Sequence, residues 1–387
     1  MRSNVTTLIM LGPEGPGEAE QWVAGGRLAA ALDAVDMAAR VPGVDRIVLA
    51  TSERQLANQY PQLDVQWDFD PAGQGFQFGS RLSGLLERYP AQAYIYLGAG
   101  SLPLIDSEVL AQAVQDVTRA TQPLAITNNL YSSDWMAFNC PGAVRDRPER
   151  LETDNALGWV LKTEAGVEVR GQPPSAGTRL DIDTPADLLL LAHLVDHGPH
   201  LRRNLENYLR PAASQRDGSR WLAAGRRLFT AGGQVALIGR VSSAVWGHVE
   251  ANTQAWIRVF SEERGMTASG RLAAGQVKSM VSAHLNRLGP TAFFDELSEL
   301  AQAVFFDTRV VLAHSRRSPS TGDRYASDLG LVESIRDPWL RQFTAAALEA
   351  PIPIVLGGHG VVTGDLYGLV EVAHAGGLSG SETETAR

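Results

Sequence analysis

Short apolar runs of strand length alternate along the chain with longer stretches in which apolar residues return every three or four positions. Residues 5–11, 46–50, 64–69, 93–97, 123–127 and 167–170 are short and rich in apolar or aromatic residues, and each predicts a strand. Leu28, Leu32, Val35 and Ala39 fall at helical spacing, so 28–40 predicts a helix, as do 106–120 and 153–162. This strand–helix order predicts an α/β fold, a three-layer α/β/α domain with a mostly parallel sheet over residues 5–195. The alternation then starts again. Residues 234–239, 256–261, 309–313 and 352–356 predict strands, and 241–255, 274–288 and 291–303 predict helices, which makes a second α/β domain. Between them the pattern weakens, with Pro199, Pro211 and a polar stretch up to Gly218. The expected division is 1–205 and 206–375, with the break between 205 and 220. Residues 376–387, rich in Gly, Ser, Thr and Glu, are expected to form a disordered tail.

Composition narrows the class. The 387 residues suffice for two domains with their own cores. Hydrophobic content of 44% and charged content of 20% belong to a globular protein. A net charge of −9 argues against a nucleic-acid backbone as partner. Cys140 stands alone, so no intramolecular disulfide forms. No run approaches the ~18 apolar residues of a membrane span, and the N-terminus lacks a signal-type pattern. These features lead to the expectation of a cytoplasmic protein without a membrane partner.

Two stretches carry candidate chemistry. The first, AYIYLGAGSLPLI at 93–105, is a buried strand that turns through Gly98 and Gly100 into a helical pattern opened by Asp106. Side chains in such a turn lie at the carboxyl end of a parallel sheet, where open α/β folds bind ligands. The second, RLDIDTPADLLLLAHL at 179–194, places Asp181 and Asp183 just before a helix. An Asp-Thr-Pro sequence also caps helices, so Asp183 or Thr184 is expected to serve as a cap.

Together these stretches resemble the nucleotidyltransferases of the glycosyltransferase-A type, in particular the MobA-like and CofC-like branches, over roughly the first half of the chain. The resemblance implies nucleotidyl transfer from a nucleoside triphosphate to a small phosphorylated acceptor, with Mg²⁺ as cofactor. It implies a nucleotide-wrapping loop with Gly12, Gly15 and Gly17, followed by a helix start at Gly26-Arg27-Leu28 that brings in Arg27. It implies a second Gly-rich contact through Gly73, Gly79 and Ser80 with Arg81 toward the phosphates, and a third at Gly98 and Gly100. The catalytic and metal positions fall on Ser101, Asp183 and Asp181. The family has a metal-binding Asp where this chain has Ser101, and the lysine that ends the family's loop is absent. A catalytically degenerate domain that serves as a ligand-binding or scaffold module is therefore the alternative.

The C-terminal half holds further candidates. Gly239-Arg240-Val241-Ser242-Ser243 lies at a strand-to-helix turn suited to an anion, and residues 357–372 form a second Gly-rich turn before a helix. Asp307, His314, Asp323, Asp328 and His359 are of metal-ligating types, but their spacing matches no ligand pattern, and scattered surface charges are the expectation. Asn128, Asn129, Tyr131, Ser132, Ser133 and Asp134 form a polar cluster expected on a substrate-facing loop or an ordinary turn.

Overall fold

Successive strand residues in the N-terminal half send their side chains into two different apolar clusters, and that splitting makes three layers. The structure is a computed structural model. It describes residues 4–13, 15–71, 73, 75–101, 103–193, 197–209, 219–267 and 269–374. The expected linker at 211–218 and the expected tail at 376–387 lie outside them. The strands are β1 (Val5–Leu11), β2 (Val44–Thr51), β3 (Gln66–Phe69), β4 (Ala93–Gly98), β5 (Leu124–Thr127), β6 (Trp135–Phe138), β7 (Glu168–Gly171), β8 (Gln234–Gly239), β9 (Trp256–Ser261), β10 (Ala303–Asp307) and β11 (Ile354–Gly357). The helices of the N-terminal half are α1 (Glu18–Ala38), α2 (Gln55–Gln59), α3 (Phe78–Arg88), α4 (Ser107–Arg119), α5 (Pro141–Arg145), α6 (Leu157–Thr163) and α7 (Ala176–Arg179). Those that follow are α8 (Pro185–Leu191), α9 (Pro199–Leu209), α10 (Ser219–Phe229), α11 (Ser243–Asn252), α12 (Met280–Leu288), α13 (Pro290–Leu300), α14 (Thr308–His314), α15 (Thr321–Asp328), α16 (Pro338–Glu349) and α17 (Gly364–His374).

The described residues fall into two compact units. One lies within Met1–Gly15, Ala24–Asp181 and Gly198–Asn204, the other within Pro16–Val23, Ile182–His197 and Leu205–Arg387. The chain thus passes for the last time from the first unit to the second between Asn204 and Leu205, and two earlier segments already belong to the second.

In the first unit the sheet order is β3-β2-β1-β4-β6-β5-β7 among the described residues. All neighbours pair in parallel except β6, which is antiparallel to β4 and β5. Ile9, Leu49 and Ile95 join one cluster with Val35 of α1 and Leu110 and Val114 of α4. Leu8, Val48 and Tyr94 join the other with Leu82 and Leu85 of α3 and Leu161 of α6. The period of two along each strand therefore feeds a helix layer on each face, the α/β/α arrangement the pattern predicted.

In the second unit the order is β11-β10-β8-β9, all parallel. Ile238, Phe306 and Leu356 pack with Phe293 and Phe294 of α13 and Phe343 of α16 on one face. On the other, Phe305 meets Trp221 of α10 at a ring-centroid distance of 5.5 Å. The chain leaves β8 through α11 to β9 on one side and returns through α12 and α13 to β10 on the other. Strand order thus reverses between β8 and β10, which opens a crevice at their carboxyl ends.

Several elements differ from the sequence expectation. Helix α1 begins at Glu18, not near residue 28, so Gly25, Gly26 and Arg27 lie inside it. The amide of Gly17 donates to Glu20 Oε2 at 2.9 Å and satisfies a first-turn N–H. Burial of Trp22 and Val23 offsets the cost of about 1 kcal/mol per internal glycine. Residues 309–313 belong to helix α14, and the neighbouring run Ala303–Asp307 is the strand. Asp307 accepts from the Arg309 amide at 3.2 Å and starts that helix. A five-residue apolar run fits a buried strand or a buried helix turn equally well, and here the cap decides. Strand β6 falls just after the polar cluster, where no strand was expected, and α12 and α13 are shorter than expected.

Candidate functional site

At the carboxyl end of β4 the chain reverses within three residues. The Ala99 amide donates to the Met10 carbonyl at 2.9 Å, the Ser101 amide donates to the Gly98 carbonyl at 3.0 Å, and Gly100 takes φ 93°. Buried Ser101 then forms an antiparallel bridge with Asp181, and its hydroxyl donates to the Gly98 carbonyl. The two sequence stretches therefore meet through their backbones inside the first unit.

Gly98 sits against a polar wall. Its amide donates to the Asp134 carbonyl at 2.9 Å. A Cβ there would fall 3.4 Å from the Tyr96 hydroxyl and 3.6 Å from Asp154 Oδ2, at ordinary contact distance. The Tyr96 hydroxyl donates to Asp154 Oδ2 at 3.1 Å. Burial first, then the Asp154 charge and hydrogen bond and the Asp134 charge, push the Tyr96 phenol well above its ordinary range, so it stays a donor. Asn128 Nδ2 donates to Asp134 Oδ2 at 2.5 Å, and Ser132 Oγ to Asp134 Oδ1 at 3.1 Å. The polar run after β5 thus orients Asp134 beside the β4 turn.

Other expected positions take different roles. The guanidinium of Arg81 is engaged by Asp68 Oδ1 and Asp70 Oδ1, both at 2.7 Å, and by the Asp68 carbonyl at 2.9 Å. Asp68 also receives Arg88 and Tyr89. Burial alone would raise the Asp68 carboxyl, but the hydrogen bonds from Arg81, Tyr89 and Arg88 outweigh it and hold it below the usual range. Arg81 therefore clamps α3 to β3. Gly79 is buried in α3, where a Cβ would fall 2.0 Å from the Pro148 carbonyl oxygen. The exposed Ser80 gives its amide to Gln77 Oε1 at 2.7 Å. Gly73 is exposed in a turn at φ 76°, Gly12 is exposed with open space around it, Gly15 is half-buried, and Gly17 leads into α1. Arg27 is half-buried in mid-helix.

Asp183 groups with the second unit. Its amide donates to Asp187 Oδ2 at 2.9 Å, and its carbonyl accepts from the Tyr325 hydroxyl at 2.9 Å. Thr184 is the N-cap of α8, in a reciprocal box with Asp187, which is the capping role the sequence suggested for this position. Asp187 is fully buried. Its carboxyl is pushed well above the ordinary range by burial, then by the charge of Asp365, then by that of Asp183.

The charges of the second unit are not scattered over a surface. Asp307 and Asp328 are buried and paired, Arg240 Nε to Asp307 Oδ2 at 2.6 Å and Arg309 Nη2 to Asp328 Oδ2 at 2.5 Å. His359 Nε2 lies 3.1 Å from the Arg240 carbonyl oxygen. Arg240, Asp307, Arg309 and His359 stand at or just past the carboxyl ends of β8, β10 and β11, and Asp328 comes from the end of α15. Asp323 instead receives the Arg336 amide at 2.8 Å, and His314 Nδ1 the Ser279 amide at 3.0 Å. Among the described residues no group of three or more His, Cys, Asp or Glu is placed to hold a metal ion. The Cys140 thiol is pushed up to about 11 by burial, which leaves it a poor nucleophile. Sequence reasoning overlooked Tyr96, Asp154 and Arg309. Tyr96 and Arg309 lay in runs read as strands, and nothing set Asp154 apart from a helical surface.

No family model matches the chain, and no curated protein sequence does. Among solved structures, it is similar to a putative nucleotide-diphospho-sugar transferase from Desulfovibrio desulfuricans G20, with 17% identity over 54% of this chain and 91% of that chain and a TM-score of 0.38. It is similar to a cytidylyltransferase from Leptospira borgpetersenii, with 13% identity over 55% and 96% and a TM-score of 0.37. It is also similar to a nucleotidyl transferase from Methanothermobacter thermautotroptrophicus, with 15% identity over 53% and 98% and a TM-score of 0.35. The likeness concerns about half of this chain. It does not single out the MobA-like or CofC-like branch, and at these values it says nothing of substrate or activity. Among the described residues no helix is long and apolar enough to cross a membrane.

Proposed function

We propose that the first unit binds a nucleoside triphosphate at the carboxyl end of β4 and transfers its nucleotidyl group to a small phosphorylated acceptor, in the manner of the MobA-like and CofC-like enzymes it resembles. The observation that carries this reading is the bridge between Ser101 and Asp181, which joins the two motif stretches at a glycine turn. Nucleotidyl transfer asks for positioning and charge neutralisation more than for covalent help. The turn at Gly98 and Gly100 lies at the carboxyl end of β4, and Asp181, Asp134 and Asp154 supply carboxylates on that side of the sheet. Mg²⁺ takes oxygen ligands and, when a triphosphate is present, needs one or two protein carboxylates. A cage made of protein alone does not fit the described residues. Asp181 fits an ion that arrives on the nucleotide, where it would neutralise phosphate charge, whereas Asp183, given the same part by the resemblance, groups with the second unit. Asp181 would hold that complex, and Tyr96 would keep Asp154 in place.

One observation favours binding without turnover. Ser101 offers a neutral hydroxyl that donates to the Gly98 carbonyl where the resembled families have a carboxylate. Calorimetric titration of GTP, CTP and ATP with Mg²⁺ separates the two readings. Ser101→Asp should tighten binding, and Asp181→Ala should weaken it. If the wild type binds none of the three and Ser101→Asp gains nothing, the domain is a scaffold or takes another ligand.

A further inference from the structure

In the second unit Arg240 and Arg309 stand just past β8 and β10, Arg324 lies on α15, and only the first two are ion-paired among the described residues. Arg240 grips Asp307 through two nitrogens, at 2.6 and 3.1 Å. Arg309 grips Asp328 the same way, at 2.9 and 2.5 Å. Arg324, on α15 one turn before Asp328, is half-buried and beside Arg309. Of the five N–H donors a guanidinium carries, its side chain uses one, from Nη2 to Thr321 Oγ1 at 3.0 Å. No carboxylate of the described residues lies within ion-pairing distance of it. Asp328, already held by Arg309, and Glu20, which accepts the Gly17 amide, act on it only through space. Burial, and after it the charge of Arg309, hold the Arg324 guanidinium below its ordinary range. A partly desolvated cation next to a second cation is costly unless an anion joins them.

We propose that the face of α15 that carries Arg324 and Asp328, beside Arg309, is an oxyanion site for the phosphoryl group of a small phosphorylated molecule, with Arg324 as its principal cation. Arg309 follows the carboxyl end of β10, the end of a parallel sheet where such folds bind ligands. A phosphoryl group offers three acceptor oxygens to donors that arrive from α14 and α15, whereas a carboxylate offers two in one plane. The proposal concerns the second unit and stands apart from the nucleotide reading of the first.

The test is calorimetric titration of inorganic phosphate into the full chain at constant ionic strength, with chloride as the balancing anion and acetate as a parallel ligand. The wild type should show saturable phosphate binding. Arg324→Gln should weaken it about tenfold or more, the loss of a hydrogen bond to a charged group. Arg324→Lys, which keeps the charge and loses the fork, should fall between them, and circular dichroism should show both variants folded. Phosphate held by the first unit would persist in Arg324→Gln. Equal binding by wild type and Arg324→Gln overturns the proposal, and so does an absence of saturable heat in the wild type. Acetate binding as tight as phosphate overturns the phosphoryl assignment.

Discussion

The two parallel sheets end in opposite chemistry. The first ends in oxygen acceptors, Asp134, Asp154 and Asp181 around the β4 turn, and the arginine expected there, Arg81, is turned aside by Asp68 and Asp70. The second ends in Arg240 and Arg309, each held by a buried carboxylate. The carboxyl ends of parallel strands, where such folds bind ligands, therefore carry different side chains in the two units, because the residues just past each strand differ. The contrast extends to the deep carboxylates. Asp68 lies among cations and titrates low, whereas Asp187 lies against Asp365 and titrates high.

The largest effects should come from the buried ion pairs. Asp307→Ala leaves half-buried Arg240 without its carboxylate and should cost about 3–5 kcal/mol in denaturant unfolding. Asp68→Ala leaves Arg81 on Asp70 and takes the acceptor from Arg88 and Tyr89, and should cost about 2–3 kcal/mol. A loss below about 1 kcal/mol for either would mean that the pair behaves as a solvated surface pair, and the contrast between the edges would fail. Gly79→Ala forces a methyl onto the Pro148 carbonyl and should cost about 2 kcal/mol. Retention of full stability would show that 148–151 shifts freely.

The two carboxylates should also give opposite responses to pH. Asp68 has a lowered native pKa, so its contribution is present above the unfolded value and is lost as pH falls through the native one. Asp187 has a raised native pKa, so its contribution is fully present below the unfolded value and is lost as pH rises through the native one. Asp365→Asn removes the facing charge. Stability should then fall less steeply as pH rises from the ordinary carboxylate range, which urea midpoints across that range will read. An unchanged slope would separate the Asp187 titration from Asp365. The smallest effect is at the cap. Thr184→Ala should cost about 1 kcal/mol, and no change would leave Asp187 alone holding the first turn of α8.

Local pattern by itself determined the α/β class, most strands of both sheets and the capped start of α8. Each depends on neighbours in sequence: period two for a strand, three to four for a helix, Thr-Pro before an apolar run for a cap. Tertiary contact decided the rest. The run at 309–313 is helical because Asp307, buried against Arg240, caps it from the end of a strand. The pairing of β6 between β4 and β5 reverses one strand of a sheet otherwise parallel, which no local periodicity encodes. The roles of the charged residues were least legible. Arg81 read as a phosphate contact and became a clamp, while Asp307, Asp328 and His359 read as surface charge and converged on one crevice with Arg240 and Arg309. Hydropathy is a property of each residue and its near neighbours. An ion pair is a property of two side chains that only the fold brings within a few ångströms, and the fold here joins positions as distant in sequence as Arg240 and Asp307.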